Sequence, residues 1–193
     1  STLMRSSAAS DVYKRQEHDL EIFRNRGLWA VTNPGSNAKL ASGIAPLKQM
    51  RALGIHMAIG TDGAASNNAL DMFREMYLAA ALQKVYEHDA SACRAEDVLK
   101  MACVGGARAM GLPDCDDIAP GKRADLVVIN LRRPNMQPLN NIAANIVYAG
   151  SKENVRLTMV NGRILYENGE FFIGEKPEYI YTAANAFMEA IRK

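Results

Sequence analysis

Long hydrophobic runs are missing from this sequence. No stretch approaches the ~20 apolar residues that span a bilayer, which excludes a transmembrane helix and gives no reason to expect a membrane partner. Cysteine is scarce: Cys93, Cys103 and Cys115 are odd in number and form no CxxC pair. This argues against a disulfide framework and a thiolate zinc site, so a reducing cytoplasm is the expected compartment. Excess charge of one sign is missing too. The 23 Lys and Arg nearly balance 21 Asp and Glu, and the net +2 sits within residues 1–16, where Arg5, Lys14 and Arg15 outnumber Asp11. Nucleic acid is not an expected partner, because it demands clustered cations. There is no phosphate loop, GxGxxG turn, GxSxG elbow or HExxH helix. At 193 residues, the chain falls short of a complete (β/α)8 barrel, which typically takes about 250.

What is present is globular material, with 48% hydrophobic and 23% charged residues. That balance excludes disorder, collagen and coiled coil. Residues 1–16 stand apart as polar, aperiodic and rich in small side chains. Their stretch SSAASDVYKRQ resembles translated sequencing-adapter junctions. They are set aside as an artefactual leader or a disordered tail.

From Glu17 the pattern predicts a helix ending near Gly27, a buried strand over 28–32 and a polar loop over 33–43. A helix over 45–54 follows, with Pro46 in its first turn and Gly54 at its end, then a buried strand over 55–60 and a polar loop over 61–68. A helix over 69–87 carries Leu70, Phe73, Tyr77 and Leu78 near helical spacing. Another covers 95–111 and includes Gly105-Gly106, read as a close-packing pair. Alternating strands and helices imply an α/β fold with a parallel sheet, and chemistry then gathers at the strands' C-terminal ends. Both polar loops lie at such ends. After a turn at 121–125 the grammar changes. A strand over 126–130 is followed by strands joined at Asn161-Gly162 and Asn168-Gly169, which suit type I′ hairpins. A terminal helix closes the chain. The expected division is 1–16, 17–112, 113–175 and 176–193.

Asp62 is the sharpest candidate for chemistry. It follows the second strand at its C-terminal end, where a carboxylate can bind a divalent metal or take a proton from water. An Asx turn, or a cap on the next helix, is the competing reading. Ser66, Asn67 and Asn68 offer neutral hydrogen-bonding groups for a polar, uncharged substrate. His56 lies six residues earlier on the same strand, roughly 20 Å away at ~3.3 Å per residue. It cannot share a metal with Asp62 and is expected on the opposite face. His18 and His88 are expected in solvent. Asn33 to Asn37 and Lys39 form the other loop, with a structural role preferred over a substrate role. The cysteines and the ten methionines are expected to serve packing.

These residues carry a resemblance. NPGSNAKLASGIAPLKQM, GTDGAASNN and LDMFREM, at this spacing and in this order, resemble the amidohydrolase superfamily, in the aminohydrolase branch that holds the 5′-methylthioadenosine/S-adenosylhomocysteine deaminases. IAPGKRADLVVINL and MVNGRILYENGEF resemble the return of such chains to their β-sandwich. The resemblance covers about residues 17–190. It implies that 28–32 and 55–60 are the last two strands of a TIM (β/α)8 barrel, followed by a partial β-sandwich and a terminal helix. It implies that Asp62 is both a catalytic proton shuttle and a ligand of a divalent metal, commonly zinc, and that Ser66 lies near the substrate. The implied reaction is hydrolytic deamination of a small purine nucleoside at C6, with ammonia leaving. Action on an s-triazine or another aminated heterocycle is the alternative within the branch.

The same resemblance places an HxH pair, two further histidines and an acid/base glutamate upstream of Glu17. None of His18, His56 and His88 occupies a family ligand position. The chain is therefore expected to be the C-terminal part of a longer enzyme, inactive by itself, whose parent is compatible with a homo-oligomer. Open strand edges and uncovered helix faces predict aggregation or molten behaviour of the chain alone.

Overall fold

The computed structural model describes residues 17–192. The leader assigned to 1–16 lies outside the described residues. Helix α1 (Glu17–Asn25) buries Leu20, and the chain turns at Gly27, φ 58°, a left-handed position that glycine adopts without strain. Strand β1 (Trp29–Thr32) then pairs in parallel with β2 (His56–Ile59), Trp29 opposite His56 and Thr32 opposite Ile59. Between them run α2 (Pro34–Lys39) and α3 (Leu47–Ala52).

Helix α2 corrects the loop expected over 33–43. Its glycine and asparagine argue against a helix by propensity. Pro34 presets the first helical φ, and Pro34, Gly35, Ser36 and Asn37 are all buried. Tertiary packing outweighs propensity here. The loop expected over 61–68 likewise contains a short helix, α4 (Ala64–Asn67).

Helix α5 (Met72–Glu87) begins three residues later than the pattern suggests. Asp71 caps it by accepting a 3.0 Å hydrogen bond from the Phe73 amide, and Leu70 turns away at φ 45°. The apolar face read from the sequence is also corrected. Leu70 and Tyr77 are about half exposed, whereas the buried face holds Met76, Ala79 and Ala80 together with Glu75 and Gln83. Tyr77 packs edge-on against Tyr148, ring centres 6.5 Å apart.

Helix α6 (Ala95–Lys100) continues through a wide π turn, Met101–Gly105, into α7 (Gly106–Ala109). The turn presses Gly105 onto β2. A Cβ at Gly105 would lie 2.3 Å from the Met57 carbonyl oxygen, whereas one at Gly106 would meet nothing within 4 Å. The close packing expected of the pair belongs to Gly105 alone. The core gathers Met50, Ile59, Ala80, Val98, Met101 and Val147 around β2 and α5.

Four antiparallel strands follow in sequence order: β3 (Leu126–Ile129), β4 (Val155–Val160), β5 (Arg163–Glu167) and β6 (Glu170–Phe171). The short helix α8 (Ile142–Ala144) lies between β3 and β4. Both Asn-Gly turns have positive φ at both residues, 50° and 76° at 161–162 and 49° and 99° at 168–169, as type I′ turns require. Helix α9 (Pro177–Ile191) has no buried residue.

Packing is only partly the role of the sulfur residues. Cys93 is half-buried beside the core, and burial pushes its thiol up to about 11, so it stays neutral. Cys103, by contrast, is exposed, and so are Met110 and Met188. No helix among the described residues is long and apolar enough to cross a membrane.

Candidate active site

Strand β2 runs out at Ile59, and Gly60 bonds back to the Thr32 carbonyl across the strand pair. This delivers Asp62 beside the start of α2. Asp62 takes φ 62°, a left-handed conformation uncommon for a residue with a side chain. Its carboxylate is exposed to solvent yet pinned at both oxygens. Ser36 donates to Oδ2 at 2.7 Å, and the Gly63 amide donates to Oδ1 at 2.8 Å. Hydrogen bonding from Ser36 first, then Ser66 and the Gly63 amide, holds the carboxyl below its ordinary range, with slight burial opposing. Asp62 is therefore an ionised, oriented carboxylate. It is not the cap of α4, a position that Gly63 fills. Each carboxylate oxygen has accepted one hydrogen bond and keeps a second lone pair for a metal or a proton.

Ser66 shares the turn with Asp62. Its hydroxyl donates to the Gly63 carbonyl at 3.0 Å and lies within reach of the carboxylate, and its one proton serves one acceptor at a time. The structure thus brings Asp62 and Ser66 together. It does not do so for the two asparagines. Asn67 is 4% exposed, and its amide is spent on the Thr61 carbonyl at 2.6 Å and Glu75 Oε1 at 2.7 Å. Asn68 accepts from Lys39 Nζ at 2.6 Å, and the same Nζ donates to the Ala65 carbonyl at 3.0 Å. Lys39 is a strut between the two segments and meets no acid among the described residues. His56 sits at the far end of β2, stacked on Trp29 with ring centres 4.9 Å apart, as its strand position predicts.

Two residues of this arrangement were not singled out from the sequence. Ser36 is one residue of the 33–37 segment, for which the sequence favours a structural role over a substrate role. Glu75 was one polar residue on a helix whose buried face was assigned elsewhere. It is fully buried, and its Oε2 accepts from the Gly35 amide at 2.7 Å. A Cβ at Gly35 would lie 2.3 Å from Glu75 Oε1, so only glycine admits this contact.

A zinc ion normally takes three or four protein ligands. Among the described residues, no three His, Cys, Asp or Glu side chains converge as such a set. The donor chemistry of Asp62 suits one metal bond, and the described residues by themselves do not complete a metal centre.

A parallel βα pair that presents a pinned carboxylate from the end of its second strand defines the class: part of an α/β barrel, seen at the end where such folds gather their polar side chains. The chain belongs to the amidohydrolase family, whose sequence profile matches residues 6–165. It is 45% identical over 177 residues to a 5-methylthioadenosine/S-adenosylhomocysteine deaminase of Nitratidesulfovibrio vulgaris, covering 92% of this chain and 39% of that protein. It is 42% identical over 182 residues to a 5′-deoxyadenosine deaminase of Methanothermobacter thermautotrophicus, covering 94% and 42%. Among solved structures, a zinc-bound adenosine deaminase from Xanthomonas campestris superposes with a TM-score of 0.89 at 36% identity, over 94% of this chain and 41% of that one. A zinc-bound atrazine chlorohydrolase from Arthrobacter aurescens gives 0.83 at 23% identity, over 92% and 39%, which speaks to the fold alone. The fold is that of part of an amidohydrolase barrel, as the sequence resemblance implies. The chain spans about two fifths of the length of the curated relatives it matches.

Proposed function

We propose that this chain is the C-terminal portion of a metal-dependent aminohydrolase acting on 5′-methylthioadenosine or S-adenosylhomocysteine. Water adds at C6 of the adenine ring, the exocyclic amine departs as ammonia, and an inosine-type product remains. The observation that carries this reading is Asp62: ionised, exposed, and fixed in direction at the C-terminal end of β2. The deaminase names borne by the relatives, and the zinc in the Xanthomonas campestris neighbour, support the reaction class and the metal.

In this reading a divalent metal, zinc in the first instance, activates water as a Lewis acid when bound. Asp62 contributes one ligand oxygen, and the other ligands come from outside the described residues. Asp62 also receives a proton at a carboxylate oxygen and passes it towards the leaving amine. Ser36 keeps that oxygen aimed, and Ser66 borders the nucleoside. Residues 17–112 would supply the last two barrel units, 113–175 part of the β-sandwich and 176–193 the terminal helix.

The test is to recover the upstream reading frame and express the longer polypeptide. It is expected to release ammonia from methylthioadenosine and to lose nearly all turnover on Asp62→Asn. Wild-type-like turnover in that variant would remove Asp62 from the chemistry. Turnover of an s-triazine in place of the nucleoside would move the substrate class. The 193-residue chain alone is expected to bind no stoichiometric zinc and to release no ammonia.

A further inference from the structure

We propose that Glu75 is a positioning residue of this site, a buried two-armed clamp that fixes the Ser36–Asp62 contact. The proposal rests on the reading of Asp62 given above, but its geometry stands on its own. One arm runs from Glu75 Oε2 to the Gly35 amide, the residue before Ser36. The other runs from Glu75 Oε1 to Asn67 Nδ2, and the same Nδ2 reaches the carbonyl of Thr61, the residue before Asp62. The same carboxyl group thus holds the residue before Ser36 directly and the residue before Asp62 through Asn67. Glu75, Asn67 and Ser36 are 0%, 4% and 1% exposed, so water does not compete for these bonds.

The placement is costly unless it serves the site. A buried carboxyl group is unfavourable without partners. Among the described residues no basic side chain forms an ion pair with Glu75, and its partners are two N–H groups, one from α2, which carries Ser36, and one from α4, which follows Asp62. Methionine or leucine at this position would leave the buried Gly35 amide and one Asn67 N–H without an acceptor, so the carboxyl group is what lets α5 close over both segments. The geometry therefore assigns Glu75 to alignment. Ser36 is delivered by α2 and Asp62 by the turn after β2. These elements are joined by the strand pair at one end and by Glu75 at the other. Without the clamp, the 2.7 Å bond between Ser36 and Asp62 would depend on the strained turn at Asp62 and on the exposed Lys39 strut.

The test is the pair Glu75→Gln and Glu75→Gln/Asn67→Asp. Glutamine keeps the shape but turns one acceptor into a donor, so one arm must open whichever oxygen is replaced. Hydrogen exchange read by mass spectrometry on the longer polypeptide is expected to speed up about tenfold in peptides over 33–37 or in those over 61–67, according to which arm opens, the factor that loss of one ordinary buried hydrogen bond gives. Peptides over the rest of α5 are expected to be unchanged. The double variant lets the glutamine amide donate to the new carboxylate. It is expected to give native exchange over 33–37 and fast exchange over 61–63, because the Thr61 carbonyl loses its donor. Acceleration spread evenly along α5, or restoration of both segments together, would overturn the clamp.

In the longer polypeptide, Glu75→Gln is expected to lower kcat about tenfold with KM little changed. Combination with Ser36→Ala is expected to cost little more than either change alone, because both act through one contact. Where Asp62→Asn abolishes turnover and Glu75→Gln leaves it intact, the clamp fails and the deaminase reading stands. Where Asp62→Asn leaves turnover intact, the reading fails and the exchange experiment still judges the clamp. If Glu75→Gln does not fold, Asn67→Ala opens the second arm alone. Acceleration confined to 61–67 then supports the proposal, and unchanged exchange there overturns it.

Discussion

Ser36 and Asp62 lie 26 residues apart in sequence, yet the serine hydroxyl donates to the carboxylate at 2.7 Å. The bond joins the first turn after β1 to the first turn after β2. In a parallel sheet, adjacent strand ends are where such convergence is expected. Removing the hydroxyl tests its value. Ser36→Ala in the longer polypeptide is expected to lower kcat about tenfold, the equivalent of roughly 1.4 kcal/mol for a charge-assisted bond at a solvent-exposed acceptor. Steady-state kinetics check this, and an unchanged kcat goes against an aiming role for Ser36.

The two adjacent glycines of the π turn make a contrasting pair. Gly105→Ala places a methyl group 2.3 Å from the Met57 carbonyl oxygen. It is expected to destabilise by about 1–3 kcal/mol or more through overpacking. Gly106→Ala meets nothing within 4 Å in a helical segment. It is expected to stabilise by about 0.5–1 kcal/mol. Thermal inactivation midpoints of the two variants of the longer polypeptide should therefore move in opposite directions.

Asp116 offers a pH-dependent test away from the site. Its carboxylate accepts from Lys122 Nζ and, at 2.7 Å, from Arg108 Nε. Hydrogen bonds from Lys122 and then Arg108 hold it below the ordinary carboxylate range. A carboxyl depressed in the folded state contributes stability above its unfolded value, ~3.9, and loses it as pH falls through the folded value. Asp116→Asn is thus expected to lower the urea midpoint at pH 7, with the deficit closing below about pH 4. A deficit that persists undiminished in acid would assign the effect to packing.

Expressed alone, the 193-residue chain is expected to self-associate. Tyr179, Phe187 and Ile191 on α9 are 66%, 66% and 63% exposed, and Val127 and Phe171 on the antiparallel sheet are about half exposed. Apolar surface of that extent drives association. Light scattering at micromolar concentration checks this, and a sharp cooperative melt of a monomer would contradict it.

Much of this arrangement was legible in the residues. The apolar runs and Gly/Pro punctuation located β1 and β2, and the two Asn-Gly pairs located the hairpins, because those signals depend on local backbone preference. The position of Asp62 at a strand end marked it as a candidate. Helix α2 was not legible, since Gly35, Ser36 and Asn37 disfavour helix and only burial overrides that preference. Glu75 was hidden for a related reason. Periodicity assigns polar residues to solvent, and a carboxyl turned inward to meet the Gly35 amide reverses that rule through a contact 40 residues distant. Asn67 and Asn68 read as substrate groups because nothing in sequence shows that Thr61, Glu75 and Lys39 already occupy them.

The Gly35–Glu75 contact bears on how such proteins can be recombined. Residues 33–75 contain both loops, the strand pair's second member and the carboxyl group that ties them. A graft of 61–68 without Glu75 separates Asn67 from the carboxyl group that it meets here, and a graft of 33–37 alone separates Gly35 from it. The smallest portable unit of this surface is therefore the whole of 33–75, and chimaeras cut inside it are expected to fail more often than those cut at either border.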